Sequence, residues 1–491
     1  MSVLAIPRTK PPVQKHGLAF WMQRVLEECD RVAVDFAADP VHDLRVALRR
    51  CRSLADGLIG LDPDPSWKQM KRAGRELFRE LGELRDAQVM EEWVNKLGIS
   101  GDPVASTLLG FLAFREAAHK QQAMRALAQF DRKQWKRWSR TLPRRATRIR
   151  TGGLIFRHLA LERWTEAYEL GRRAVRARSP LAWHNLRIGL KRFRYIVENF
   201  LPEQHEAWID DLKELQDLLG EVHDLDVLWS TALEMKVFPD EESRFAWRRR
   251  ILEERDGRIQ RYREKMVGKN TRWQTWRAYL PHGREIETAA FTRLRLWASL
   301  LDPDFSHSCR VARLALEIYD ALFPPGDEKP KTPSERTILR LAALLHDVGR
   351  SRGETGHHKA GSRMIEKLEP PLGWTRAALQ LVAAVSRYHR GALPQRGQKA
   401  FDALVASERP TAIKLAAVLR LANAFDQDRT RRIDRLKVIE ENGALLILAQ
   451  GYNPWGRTAE SIAAARHLLE IVCRRPIQIK ALRADRHRQA L

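Results

Sequence analysis

The sequence predicts a mainly α protein: duplicated helical bundles, then an all-α domain, then a small α/β appendix at the C-terminal end. Three observations carry this. Apolar residues recur at three-and-four spacing to about residue 430, the period of helices that bury one face. Two motifs in the first half recur in the same order and at nearly the same spacing, the signature of a duplicated structural unit. From Leu436 the pattern changes to short apolar runs broken by turn residues.

Taken in order, residues 14–281 form the duplicated region, with copies over about 14–150 and 151–281. Pro281-His282-Gly283 marks the main joint. An all-α domain is expected over 285–430, interrupted by the loop from Pro324 to Pro333. The appendix, 431–485, reads as strand from Leu436 to Leu448 with a turn at Asn442-Gly443, a helix over the apolar run Ile462 to Val472, and a strand from Ile477 to Ile479.

The chain has 491 residues, with 87 Lys plus Arg against 62 Asp plus Glu, a formal charge of +25. Because 44% of residues are hydrophobic, this charge belongs to a folded cation and not to a basic disordered tail. The surplus calls for a polyanionic partner. Cys29, Cys51, Cys309 and Cys473 form no Cys-x-x-Cys pair, which excludes a disulfide framework or zinc knuckle and fits a reducing compartment. Met1 to Lys15 is short of apolar residues, and no run approaches the roughly 18 apolar residues of a membrane span. The expectation is a soluble cytoplasmic protein with no membrane partner.

The first repeated motif begins His42-Asp43-Leu44-Arg45 and continues through Arg49-Arg50-Cys51-Arg52; its copy begins His184-Asn185-Leu186-Arg187 and continues through Lys191-Arg192-Phe193-Arg194. At about 100° per residue, Arg45, Arg49 and Arg52 fall within about 60° of arc. Leu44, Leu48, Cys51 and Ala55 form an apolar face beside them, and Leu186, Leu190, Phe193 and Val197 repeat it. Cations along one helical face repel one another, and a bound anion removes that cost. Arginine forks match phosphate oxygens, so two stripes suit a linear chain of phosphates. The second motif is Gly82-Glu83-Leu84-Arg85-Asp86, repeated as Gly220-Glu221-Val222-His223-Asp224.

These paired motifs resemble the CHAD domain, the conserved-histidine α-helical domain, over roughly Gln14 to Pro281. The resemblance implies two pseudo-symmetric four-helix bundles around a basic channel that binds inorganic polyphosphate. Carried onto this chain, it nominates His42, Arg45, Arg49, Arg50, Arg52, His184, Arg187, Lys191, Arg192 and Arg194 as polyphosphate ligands. Nucleic acid fits less well, because the stripes carry no interleaved aromatics.

In the second half His346-Asp347 follows the apolar run Leu339 to Leu345. A histidine and a carboxylate buried at a helix end are costly unless paired or ligated. His307, His357-His358, His389 and Asp426 supply further metal-ligating types around them. The wording Leu344-Leu345-His346-Asp347-Val348-Gly349, His357-His358-Lys359, Arg387-Tyr388-His389-Arg390-x-x-x-Pro394 and Leu419-Arg420-Leu421-Ala422-x-x-x-Asp426 resembles the HD superfamily of metal-dependent phosphohydrolases. More narrowly, it looks like the C-terminal domain of the exopolyphosphatase and guanosine pentaphosphatase family, over about Glu285 to Ile479.

That resemblance implies a divalent ion (Mn, Mg, Fe or Ni) held by His307, His346, Asp347 and Asp426, with His357, His358 and His389 as second-site ligands or phosphate contacts. His346 and Asp347 would carry catalysis, and Lys359, Arg387 and Arg390 would stabilise phosphoryl charge. Asn423 stands where many relatives have an acidic residue, and the actin-like ATPase domains of the parent family are absent, so exopolyphosphatase activity is not carried over. The sequence therefore supports a polyphosphate-binding phosphohydrolase acting on a phosphoanhydride or phosphoester of polyphosphate or a nucleotide. The alternative is a non-catalytic binding protein of polyphosphate granules whose HD domain is structural or regulatory.

Overall fold

A computed structural model describes residues 17–34, 36–324, 333–441 and 443–482. The stretch Met1–Lys15, residues 325–332 of the Pro-rich loop, and Asn442 of the expected turn lie outside the described residues. The chain divides into two compact units, Met1–Pro281 and His282–Leu491.

The first unit is helical throughout: α1 (Leu18–Val34), α2 (Ala38–Ile59), α3 (Ser66–Ala73), α4 (Arg75–Leu97), α5 (Pro103–Gln129) and α6 (Arg132–Ala146), then α7 (Leu154–Ala177), α8 (Pro180–Phe200), α9 (Pro202–Glu234), α10 (Glu241–Met266) and α11 (Arg272–Ala278). The two sets follow one plan. α1 packs on α2 as α7 packs on α8, and α4 packs on α5 as α9 packs on α10. The first copy breaks at Gly74, between α3 and α4, where the second runs on as the single long α9.

Counterparts also meet each other: α2 packs on α8 and α4 on α9. Trp93, Val94, Leu97, Leu108, Leu225, Leu228 and Trp247 from α4, α5, α9 and α10 belong to one buried cluster, so the copies interlock through a common core. At the α2–α8 contact Gly57 is essential to the approach: a Cβ there would stand 2.2 Å from Cε2 of Phe200. The Asn199 amide donates to Ser53 Oγ at 3.0 Å beside it.

The second unit contains α12 (Arg284–Leu301), α13 (Phe305–Leu322), α14 (Glu335–Leu345), a 3-10 turn (Val348–Arg352), α15 (His357–Glu366), α16 (Arg376–Arg387), α17 (Lys399–Asp402) and α18 (Arg409–Phe425). β1 (Leu436–Glu441), β2 (Ala444–Ala449), α19 (Ala459–Cys473) and β3 (Ile477–Ala481) follow. β1 pairs antiparallel with β2, Val438 opposite Ile447, and β3 pairs parallel with β2, Ile447 opposite Ile479. A parallel neighbour needs a crossover, which α19 supplies. Leu445, Ile447, Ile462, Leu469 and Ile477 share the core of α13, α14, α16 and α18, so the small sheet is one wall of the helical unit. Among the described residues no helix is long and apolar enough to cross a membrane.

Candidate metal centre and basic helix pair

The centre of the second unit is made at helix ends. The last carbonyls of a helix have no intrahelical partner. α14 stops at Leu345, and His346 Nδ1 donates to the carbonyl of Ala343 at 2.7 Å. α16 stops at Arg387, and His389 Nδ1 donates to the Ser386 carbonyl at 2.7 Å. At the first residue of α15, His357 Nδ1 donates to the Glu354 carbonyl at 2.8 Å. For His346 and His389 this bond spends the Nδ1 proton on the backbone and leaves Nε2 as a lone pair, the tautomer a metal ligand requires, whereas His357 Nε2 donates to Asp347.

The Nε2 atoms gather around one carboxylate. Asp347 Oδ1 lies 3.2 Å from His357 Nε2 and 3.6 Å from His346 Nε2. His357 Nε2 and His389 Nε2 stand 3.4 Å apart. His346 Nε2 is buried with no hydrogen-bond partner. Two triads can therefore each hold an ion, His307-His346-Asp347 and Asp347-His357-His389, and Asp347 is common to both. All five residues are buried.

The electrostatics divide the histidines. Burial, with His346 adding to it, drives His389 well below its ordinary value, and burial lowers His346 as well. The hydrogen bond to Asp347 raises His357 against the effect of burial. Burial alone would lower His307 and raise Asp347. Asp426 overrides it for His307, which is raised, and His346, His357 and His389 override it for Asp347, which is held well below the usual carboxylate range.

Asp426 is not in either triad. Its Oδ2 lies 2.9 Å from His307 Nδ1, and its Oδ1 accepts from the Arg431 backbone N–H at 3.2 Å, so it grips His307 from the side. Asn423 Oδ1 lies 3.3 Å from His307 Nε2, which is the place the sequence departure comes to occupy. His358 stands beside the centre with a buried, unpartnered Nδ1; burial first, then Arg387, His357, Arg390 and Lys359, lower it to about 4. The three cations nominated for phosphoryl charge thus act on one spot, and Arg387 Nη1 is itself buried without a partner.

Sequence reasoning missed Arg429 and Arg350. Asp347 Oδ2 accepts from Arg429 at 2.6 Å and from Arg350 at 3.3 Å, while Arg429 also reaches Asp304 at 2.5 Å. Asp304 caps α13 on the His307 N–H, tying the clamp to the first histidine. Arg429 and Arg431 both have positive φ, 56° and 59°, a cost non-glycine residues bear mainly where a site requires it. No local motif announces them.

In the first unit α2 and α8 bring the two basic stripes together. α8 begins at Ser179-Pro180, where the Ser179 side chain caps the Ala182 N–H and proline takes the first turn. Lys191 is lowered to about 8 by burial and by the charges of Arg187, Arg49 and Arg45, so residues of both stripes share one field. His184 Nδ1 lies 3.3 Å from His223 Nδ1, and His223 is lowered to about 4 by burial, Arg187, His184 and Lys191. The acidic motif supplies Asp86, 3.9 Å from Arg45, and Asp224, raised to about 6 by burial against the pull of Arg187. Tyr195 Oη is buried and unpartnered near Arg49.

Other nominated residues face elsewhere. Arg50 pairs with Glu198 and Arg192 with Glu166 at 2.8 Å, both off the stripe by helical angle. Arg52 donates to the Lys71 carbonyl at 2.8 Å, Arg194 lies 3.9 Å from Glu198, and His42 is exposed. His223 and Tyr195 were missed, although His223 lies inside the repeated acidic segment, where the first copy has Arg85.

The comparisons fall on the same two regions. Residues 19–233 match the CHAD domain, and residues 295–453 match the Ppx/GppA phosphatase, domain III. No curated protein matches the chain. The interlocked helical repeats and the histidine centre thus coincide with two family matches in series, a CHAD domain followed by a segment that matches domain III of the Ppx/GppA phosphatases.

Proposed function

We propose that this protein binds inorganic polyphosphate along the α2–α8 helix pair and hydrolyses a phosphoanhydride or phosphoester, of polyphosphate or a nucleotide, at a divalent-metal centre built around Asp347. The observation that carries it is the gathering of imidazole Nε2 atoms around Asp347 Oδ1, with His346 Nε2 left unpartnered in a buried site. An orphaned buried nitrogen is costly unless a ligand completes it. Neutral imidazole and carboxylate are also the donor set that first-row divalent ions prefer.

His307, His346 and Asp347 would hold one ion and Asp347, His357 and His389 a second, with Asp426 orienting His307. A bound divalent ion lowers the pKa of water and neutralises phosphoryl oxygens. The chain's own residues do the rest. Lys359, Arg387 and Arg390, with the free Nδ1 of His358, receive the phosphoryl group's negative charge. Backbone carbonyls hold His346 and His389 in the tautomer that frees Nε2, while His357 would give up the proton it donates to Asp347 when an ion binds. In the first unit, Arg45, Arg49, Arg187 and Lys191 form a cationic track on which a chain of phosphates relieves mutual repulsion. On this reading the protein works in the cytoplasm, at polyphosphate granules.

One observation favours the binding-only alternative: Arg429 and Arg350 already neutralise Asp347 Oδ2. The test is phosphate release from polyphosphate and nucleotides with Mn²⁺, Mg²⁺, Fe²⁺ or Ni²⁺, comparing wild type with His346→Ala plus Asp347→Ala. Release that needs the ion and both residues supports the hydrolase. Equal, metal-independent rates would leave binding alone.

A further inference from the structure

On the second unit, away from the histidine centre, α12, α13 and α14 enclose a recess of about 490 Å³. Its floor is Ala312, Leu316, Leu344 and the half-buried Cys309, and its rim carries Arg295, Arg313, Arg336 and Arg340. The two carboxylates present are already engaged. Asp320 takes Arg336 bidentately at 2.7 and 2.8 Å, and Glu317 takes Arg313 at 2.8 Å and the Leu436 N–H at 3.1 Å. Arg295 and Arg340 have no carboxylate partner among the described residues. Arg340 instead stacks its guanidinium over Phe291 at 5.0 Å, holding the fork open.

An apolar floor under two uncompensated guanidiniums, in a volume within the roughly 300–1,000 Å³ of small-molecule sites, selects a particular ligand chemistry. The anionic end must be compact and doubly charged to use both forks. The remainder must be apolar or aromatic to cover Leu316 and Leu344. Polyphosphate satisfies the first condition and fails the second.

We propose that this recess is a binding site for a nucleoside phosphate, with Arg295 and Arg340 on the phosphates and the base over the Leu316–Leu344 floor. The site is separate from the metal centre but uses the same helices. Cys309 follows His307 by one turn-half on α13, and Leu344 immediately precedes Leu345 and His346 at the end of α14. A ligand seated there stiffens both elements that carry the first triad.

Cys309 reports occupancy directly. Cys29 and Cys51 are fully buried, and burial pushes the Cys29 thiol up to about 12, so alkylation of the native protein is confined to Cys309 and Cys473. The rate at each is read by peptide mass spectrometry in the presence of a chelator, which keeps the outcome independent of the metal reading. GDP or ADP is expected to slow alkylation at Cys309 and leave Cys473 unchanged. Arg295→Ala plus Arg340→Ala should raise the half-protecting concentration by about tenfold or more, the effect of losing charge-assisted hydrogen bonds. Pyrophosphate at the same concentration should protect little. An unaltered Cys309 rate, equal protection by pyrophosphate, or protection that survives the double substitution would each overturn the site.

Discussion

The two units treat charge in opposite ways. Along α2 and α8 like charges are kept together at a cost, and Lys191 is lowered only to about 8, so it still carries its proton near neutral pH. Around Asp347 charge is paired and enclosed: Arg429 and Arg350 sit on the carboxylate, while His346 and His389 are buried and neutral, their protons committed to carbonyls. A cationic track recognises a polymer by summed, salt-screened attraction. A coordination site recognises an ion by short contacts that salt barely touches. On the proposed function, one chain would carry a site that tolerates imprecision and a site that does not.

The sharpest break in that contrast is Asp347→Ala. It removes the shared ligand and leaves His346, His357 and His389 without a carboxylate, so bound metal measured by elemental analysis should fall to background. Phosphate release should drop by more than about 100-fold, beyond the usual effect of an outer-sphere change. Polyphosphate affinity of the same variant should not move. Next in size is Asp426→Asn, which leaves both triads intact but loosens the grip on His307; titration calorimetry should show metal affinity lower by about 10–100-fold. If Asp426→Asn matched Asp347→Ala, Asp426 would be a ligand and not a positioning residue.

On the other side of the comparison, Arg49→Ala plus Lys191→Ala should reduce the slope of log affinity against log salt for polyphosphate by about two, one per lost cation, with metal content unchanged. The smallest effect is a pH dependence. Lys191 is protonated below about 8, and a bound polyanion favours that form, so binding takes up a proton near this pH. Affinity should fall a few-fold as pH rises from 7 to 9, and Lys191→Arg should flatten the profile. A rise in affinity over that range would show that Lys191 does not face the polymer.

Much of this was legible because it is periodic. The basic stripes and their apolar neighbours follow the helical repeat, and duplication shows which cations belong together. His346-Asp347 was legible as an anomaly, two polar residues closing an apolar run. Arg429 was not, because its role comes from a loop with positive φ that returns to α13 and the turn after α14 only in three dimensions. The common core of α4, α5, α9 and α10 was equally hidden: an apolar face does not say whether it meets its own bundle or the other.

The meeting of α2 with α8 and of α4 with α9 is the contact pattern of a two-fold relation within one chain. Nucleic acid strands have direction, and a two-fold arrangement of ligands would read one strand differently at its two ends. Inorganic polyphosphate has none. A track whose halves nearly exchange under rotation can accept such a chain from either end with similar contacts, Lys191 standing for Arg49. The break at Gly74, present in only one copy, and His223 in the place of Arg85 limit that equivalence.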